Sequence, residues 1–307
     1  MKIALIGYGE VGRILAEDLV PHGHTVTVYD LKVALPALRE HAARTGVTLA
    51  ASHAAAVQGA ELVVSAVTAS QAVPVAEACA PGIAKGAFFL DFNSASPGAK
   101  IKAAGIVNAA GGRYVEGAVM TSIPPYRIKV PLLLGGPDAA ALEPVLNAIG
   151  FAAKVSSAKL GVASATKMCR SVMIKGLEAM VIESFTAARH FGVEDAVIAS
   201  LHETFPGIDW ERQAAYFFQR VIAHGRRRSE EVREVAETVR EAGLEPWSAS
   251  GTAARQAWMA DLADAGRFGA RDAPGFARSA DWRTEADRLL GPAHPKEENP
   301  DEPTRHG

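Results

Sequence analysis

Lys2-Ile3-Ala4-Leu5-Ile6-Gly7-Tyr8-Gly9-Glu10-Val11-Gly12 stands at the head of the chain, and the rest is read from it. The apolar run Ile3–Ile6, closed by glycine, has the length and composition of a buried strand. A helical pattern follows the glycines, so the order is strand, turn, helix. Gly7 allows the tight turn, Gly9 lets a pyrophosphate approach the backbone, and Gly12 permits the helix to pack closely on the strand. The helix start, with Glu10 and Val11 in its first turn, then points unpaired N–H groups at the phosphates. Asp30 ends the second strand, Thr25–Tyr29, where a carboxylate can accept the hydroxyls of an adenosine ribose. These features predict dinucleotide binding through Gly7, Tyr8, Gly9, Glu10, Val11, Gly12 and Asp30. A glycine turn in an unrelated α/β domain accounts for the glycines but leaves Asp30 without a task. A carboxylate repels a ribose 2′-phosphate, so NAD is expected; Lys32 nearby keeps NADP open.

Moving outward, further strand-like runs occur at Glu61–Val67, Ala87–Phe92, Arg113–Val119, Lys129–Leu134 and Phe151–Val155, with helical patterns between them and Asp138–Ile149 as a helix. This alternation predicts an α/β fold, an N-terminal Rossmann-type doubly wound parallel sheet with helices on both faces. From about residue 157 the pattern turns helical, with segments at Leu160–His190, Glu194–Thr204, Trp210–Ala223, Ser229–Ala242 and Thr252–Ala265. The expected organisation is a dinucleotide-binding domain over 1–157, an all-α substrate and dimerisation domain over 158–290, and a disordered, proline-rich tail over 291–307. A helix of some thirty residues spans roughly 45 Å. Its far end needs cover, which predicts a homodimer through the helical half unless later helices of the same chain wrap it.

Composition narrows the partners. The 307 residues carry Lys+Arg 32 against Asp+Glu 34, a net charge of −2, which offers no field for nucleic acid or an anionic membrane and leaves a small molecule as the expected ligand. The apolar stretch Leu62–Ala76 is too interrupted to span a bilayer. Met1-Lys2 leads at once into the first strand with no room for a secretory signal, so a cytoplasmic setting is expected. Cys79 and Cys169 are too few for a disulfide framework, and no histidine spacing suggests a metal.

Ligands of such sheets lie beyond the carboxyl ends of the strands. Val67 and Thr68 follow one strand, and Asn93 and Ser94 follow the next; these small, hydrogen-bonding residues suit the nicotinamide ribose, although helix N-capping explains the serine hydroxyls equally well. In Gly161-Val162-Ala163-Ser164-Ala165-Thr166-Lys167-Met168-Cys169-Arg170-Ser171 a lysine sits in a small, apolar helix, with Ser171 and Lys175 on its face. Burial and the neighbouring Arg170 would depress its pKa towards the range useful in proton transfer. The competing reading is a solvated surface lysine. His224, Arg226, Arg227 and Arg228 form one basic cluster, read either as an anion-binding wall or as a helical charge run paired with Glu230 and Glu231.

The glycine loop, Asp30, Asn93-Ser94, Glu116-Gly117-Ala118-Val119-Met120-Thr121-Ser122 and the helix from Gly161 with Lys167 resemble the β-hydroxyacid dehydrogenases, within the 6-phosphogluconate dehydrogenase-like superfamily. Phe205-Pro206-Gly207-Ile208-Asp209-Trp210 and His224–Glu231 look like a subfamily of NAD(P)-dependent oxidoreductases whose helical C-terminal domain was formerly of unknown function. The resemblance implies hydride transfer between nicotinamide and a hydroxy or carbonyl carbon, with Lys167 as general acid/base and Thr121, Ser122, Arg170 and Ser171 around a small substrate, neutral or anionic. Two departures stand out: Met120-Thr121-Ser122-Ile123 replaces the usual Ser-Gly-Gly carboxylate segment, and Arg170 with Ser171 replaces the asparagine or histidine that usually follows the lysine. Two other readings are an imine reductase or reductive aminase, which usually lacks that lysine, and a non-catalytic dinucleotide sensor.

Overall fold

A computed structural model describes residues 1–291 of the chain. In order, β1 (Lys2–Ile6), α1 (Glu10–Leu19), β2 (Thr25–Tyr29), α2 (Pro36–Thr45), β3 (Thr48–Leu49), α3 (His53–Val57) and β4 (Leu62–Ser65) are followed by α4 (Ala72–Cys79), β5 (Phe88–Asp91) and α5 (Pro97–Ala109). Then come β6 (Arg113–Val119), β7 (Pro131–Gly135), α6 (Ala139–Ala148), β8 (Ala152–Ser157), α7 (Val162–Phe191), α8 (Glu194–Thr204), α9 (Trp210–Glu241), α10 (Trp247–Asp264) and α11 (Trp282–Leu290).

The strands form one sheet in the order β3-β2-β1-β4-β5-β6-β7-β8. The chain leaves β1 first to one side and then, from β4, to the other, which opens a crevice above the carboxyl ends of β1 and β4. All pairs are parallel except β6 with β7. That pair runs antiparallel because the link between them contains only a short turn at Arg127–Lys129, with no crossover helix to return the chain to the same end. Alternate residues of a strand feed opposite faces. Ile3 and Leu5 join one apolar core with Val26, Val28, Leu62 and Val64, while Ala4 and Ile6 join a second with Val63, Phe89 and Tyr114. Both faces are thus covered, which is why these strands read as near-continuous apolar runs.

The described C-terminal region is helical, and two expected helices, Trp210–Ala223 and Ser229–Ala242, are the single α9. Gly225 does not interrupt it. A Cβ there would stand 2.7 Å from the Gln256 backbone oxygen, so the glycine serves close approach of α9 to α10. The short β3 and α11 were not expected.

The chain divides into two compact units elsewhere than at residue 157. One comprises Met1–Lys175 with Ser229–Ala253; the other comprises Gly176–Arg228 and the described residues from Ala254 to Gly291. The first unit keeps the start of α7 because Met168 is buried among Val232, Val235, Ala236, Ala249 and Ala253. The second has its own core of Phe185, Trp210, Phe218, Ile222, Met259 and Trp282, among others. The expected tail over 291–307 lies, from residue 292, outside the described residues. Among the described residues no helix is long and apolar enough to cross a membrane, and no cluster of three or more His, Cys, Asp or Glu could hold a metal ion.

Candidate active site

The glycine loop has the geometry its spacing requires. Gly7 adopts φ +93°, and a Cβ on it would meet the Ala66 carbonyl oxygen at 2.4 Å; on Gly12 it would meet the Gly7 oxygen at 2.1 Å. Gly9, by contrast, is exposed, with nothing within 4 Å of a Cβ position, and as N-cap of α1 it has no side-chain hydrogen bond. The helix start is therefore an open cradle of backbone donors, which fits a dinucleotide pyrophosphate.

Asp30 binds the loop itself. Its Oδ2 accepts from Tyr8 N at 2.8 Å and its Oδ1 from Lys32 N at 2.8 Å. A carboxylate offers about four acceptor positions, so capacity remains for ribose hydroxyls. Tyr8 contributes only its backbone there. Its side chain is buried, its hydroxyl hydrogen-bonds His41 Nδ1 at 2.9 Å, and burial raises the phenol above its usual pKa. Glu10 and Lys32 are exposed, and Val11 packs partly against the core.

The two loops beyond β4 and β5 are fastened to each other. Asn93 Oδ1 accepts from Val67 N at 2.7 Å, Asn93 Nδ2 donates to Ser65 Oγ at 3.0 Å, and Asn93 N donates to Asp91 Oδ1 at 2.9 Å. Both ends of the amide are committed, so Asn93 shapes the loop from within, while Thr68 is exposed beside it. Beneath lies a polar centre that the sequence reading missed. Lys100 Nζ lies 2.9 Å from Asp91 Oδ1 and donates to the Asp91 carbonyl at 2.8 Å, and Tyr114 Oη donates to Asp91 Oδ2 at 2.7 Å. All three side chains are buried, and desolvation beside the Asp91 charge holds the Tyr114 phenol well above its ordinary pKa. The signal was present in α5, where Lys100 shares the buried face of Ala103, Ala104 and Val107.

Lys167 meets this loop. Its Nζ donates to Ser94 Oγ at 2.6 Å, with the lysine partly buried. The helix that carries it starts on a carboxylate: Glu116, wholly buried in the middle of β6, accepts from Ala163 N at 3.1 Å and from Ser164 Oγ at 2.7 Å. Thr121 and Ser122 follow β6 at the same carboxyl edge of the sheet as Ser94, because β5 and β6 are parallel. Ser171 is buried one turn beyond Lys167, whereas Arg170 is exposed. Lys175, buried, donates to Glu231 at 2.6 Å.

The basic cluster separates. In the second unit, buried Arg228 pairs with Glu178, whose carboxylate also accepts from Gln256, and Arg226 pairs with Asp261 at 2.6 Å and Asp264 at 2.8 Å. These two arginines hold helices together, a structural role rather than an anion-binding wall.

Comparison with known proteins agrees with this geometry. Residues 2–158 match the NAD binding domain of 6-phosphogluconate dehydrogenase. The chain belongs to this family. Residues 188–259 of this 6-phosphogluconate dehydrogenase-type chain match a domain of unknown function, DUF1932. A conserved hypothetical protein from Sinorhizobium meliloti 1021 is 38% identical, with 84% of this chain and 87% of that chain covered and a TM-score of 0.70. A conserved protein of unknown function, described as structurally similar to 3-hydroxyacid dehydrogenases, is 28% identical, with 86% and 98% covered and a TM-score of 0.67. The mitochondrial 3-hydroxyisobutyrate dehydrogenase of Drosophila melanogaster is 25% identical over 215 residues, 68% of this chain and 65% of that protein. The family is one of NAD(P)-binding proteins related to 3-hydroxyacid dehydrogenases.

Proposed function

We propose that the protein is an NAD(P)-dependent dehydrogenase that acts on a CH–OH carbon of a small substrate, with Lys167 exchanging the hydroxyl proton. The observation that carries this reading is the 2.6 Å contact of Lys167 Nζ with Ser94 Oγ at the carboxyl edge of the parallel strands. An amine already bonded to an alcohol oxygen can make the same bond to a substrate alcohol. Bound NAD(P) supplies the hydride acceptor or donor.

The chain's share of the chemistry is placement and proton transfer. In the oxidising direction neutral Lys167 takes the proton of the substrate hydroxyl; in the reducing direction its ammonium returns a proton to the carbonyl oxygen. Ser94 keeps the lysine aimed, and Thr121, Ser122 and Ser171 are assigned to orient the substrate, with Arg170 as an outer cation for an anionic group. Gly7, Gly9, Gly12 and the start of α1 would hold the pyrophosphate, Asp30 the adenosine ribose, and the loops at Val67-Thr68 and Asn93-Ser94 the nicotinamide end. Asp30 favours NAD, since a 2′-phosphate would face its charge.

A homodimer is part of the same reading. Met180, on the part of α7 that lies in the second unit, is 61% exposed, an apolar side chain that a second copy would cover. The test is a panel of hydroxy acids and aromatic alcohols with each nicotinamide cofactor, followed through the near-ultraviolet absorbance of the reduced ring. Reduction of NAD with at least one hydroxy acid supports the assignment. Amine-dependent consumption of NADH with ketones, and no alcohol oxidised, contradicts it.

A further inference from the structure

Residues 188–259 belong to a domain without an assigned role, yet part of that stretch reaches the candidate site within the first unit. Three carboxylates of α9 make specific contacts there. Glu231 accepts from Lys175 Nζ at 2.6 Å on α7; Glu234 accepts from Ser96 N at 2.8 Å; Glu241 accepts from Gly98 N at 2.9 and 3.0 Å. At 3.6 residues per turn these positions fall within about 80° of arc, so they lie on one side of the helix.

The contacts bracket the Ser94–Lys167 pair. The loop carrying Ser94 is fastened on its upstream side by Asn93 to Ser65 and Val67, and on its downstream side by Glu234 and Glu241. Only Ser94 and Ala95 lie between the two anchors. The lysine's helix is held by Glu231 through Lys175 and by the burial of Met168 against Val232, Val235 and Ala236 of the same α9 segment. One helical segment therefore grips both partners, and their separation depends on it. The donors at Ser96 and Gly98 flank the start of α5, where backbone N–H groups have no partner within the helix and charge-assisted bonds are strong.

We infer that Glu234 and Glu241 are positioning residues for Ser94 and Lys167, and that in this chain the helical domain of unassigned role serves to set that pair. The catalytic meaning rests on the acid/base reading of Lys167; the positioning itself does not.

The test measures lysine reactivity, which needs no turnover. The full-length protein and the Glu234→Ala/Glu241→Ala variant are labelled with acetic anhydride, and acetylation of Lys167 is followed by peptide mass spectrometry relative to exposed Lys85. Loss of two charge-assisted bonds should raise the relative rate at Lys167 by at least about fivefold. Glu234→Gln/Glu241→Gln keeps an acceptor oxygen at each position and should stay within about twofold of the wild type. Should the double alanine variant fail to fold, Glu241→Ala alone, at the exposed contact, should show a smaller rise in the same direction. Unchanged Lys167 labelling in a folded alanine variant with a lowered melting temperature would overturn the inference, leaving the carboxylates a structural role only. Equal rises in the glutamine and alanine variants would overturn it too. Retained turnover in Lys167→Ala would defeat the acid/base reading without altering these rates.

Discussion

Glu116, in the middle of β6, accepts a hydrogen bond from Ser164 Oγ at 2.7 Å, and through this contact the helix of Lys167 is seated on the sheet. A buried carboxylate at a helix start satisfies donors that would otherwise face an apolar interior, and it lies at the favourable end of the helix dipole.

Replacing Glu116 by Ala should therefore lower unfolding stability by about 2–4 kcal/mol, since the Ala163 N–H loses its acceptor in a buried setting. Glu116→Gln should cost less, because one amide oxygen still accepts. Urea denaturation of both variants decides. An alanine variant as stable as the wild type would show that α7 does not need this seat.

The Asp91–Lys100 pair makes a sharper prediction. Both side chains are 1% exposed, so Lys100→Met leaves a buried carboxylate whose remaining neighbours cannot neutralise it. Breaking one half of such a pair costs about 3–5 kcal/mol. The melting temperature of Lys100→Met should fall accordingly, and the paired change Asp91→Leu/Lys100→Met should recover part of the loss. No recovery would mean that Asp91 is needed chiefly for its bonds to Tyr114 and Asn93.

The sequence made some of this legible and not the rest, for physical reasons. β1 and β6 carry apolar residues on both faces, β2 alternates buried valines with threonines, and α8 has an undisturbed helical pattern, so their limits coincide with the expected ones. The continuity of α9 across residues 224–228 was not legible, because Gly225 is favoured there by its close approach to Gln256, a contact that only the packed structure shows. The glycine loop was readable because its chemistry is local. The contacts of Glu234 with Ser96 and Glu241 with Gly98 span 138 and 143 positions, and no local pattern encodes them. The place of Asn93 after β5 is legible, but the commitment of its amide to Ser65 and Val67 is not, because those partners lie 28 and 26 positions away.

Asp30 should govern cofactor choice. Asp30→Ser removes the charge that opposes a 2′-phosphate, and the ratio of kcat/KM for NADP over NAD should rise by about 10- to 100-fold, the equivalent of some 1.4–2.7 kcal/mol. Steady-state kinetics with both cofactors provide the measure. An unchanged ratio would locate the discrimination elsewhere. The lost tie to Tyr8 N predicts some loss of affinity for both.

The two cysteines should differ in reactivity. Cys79 is fully buried, and desolvation pushes its thiol up to about 12, whereas Cys169 is exposed. The folded pKa is raised, so any stability linked to this thiol is complete below its unfolded value of 9.0 and is lost as pH rises towards 12. At pH about 8 an aromatic disulfide reagent should titrate one thiol in the native protein and two after denaturation. Rapid modification of Cys79 in the native state would contradict the packing of α4.

The central claim is that the amine of Lys167 moves the proton. With the best substrate from the alcohol panel, Lys167→Ala should lose turnover by about 100- to 10,000-fold. Its dissociation constant for NADH, measured by fluorescence titration, should stay within about threefold of the wild type, a change of less than 0.7 kcal/mol. Turnover near the wild-type rate in a variant that binds NADH normally would contradict the account.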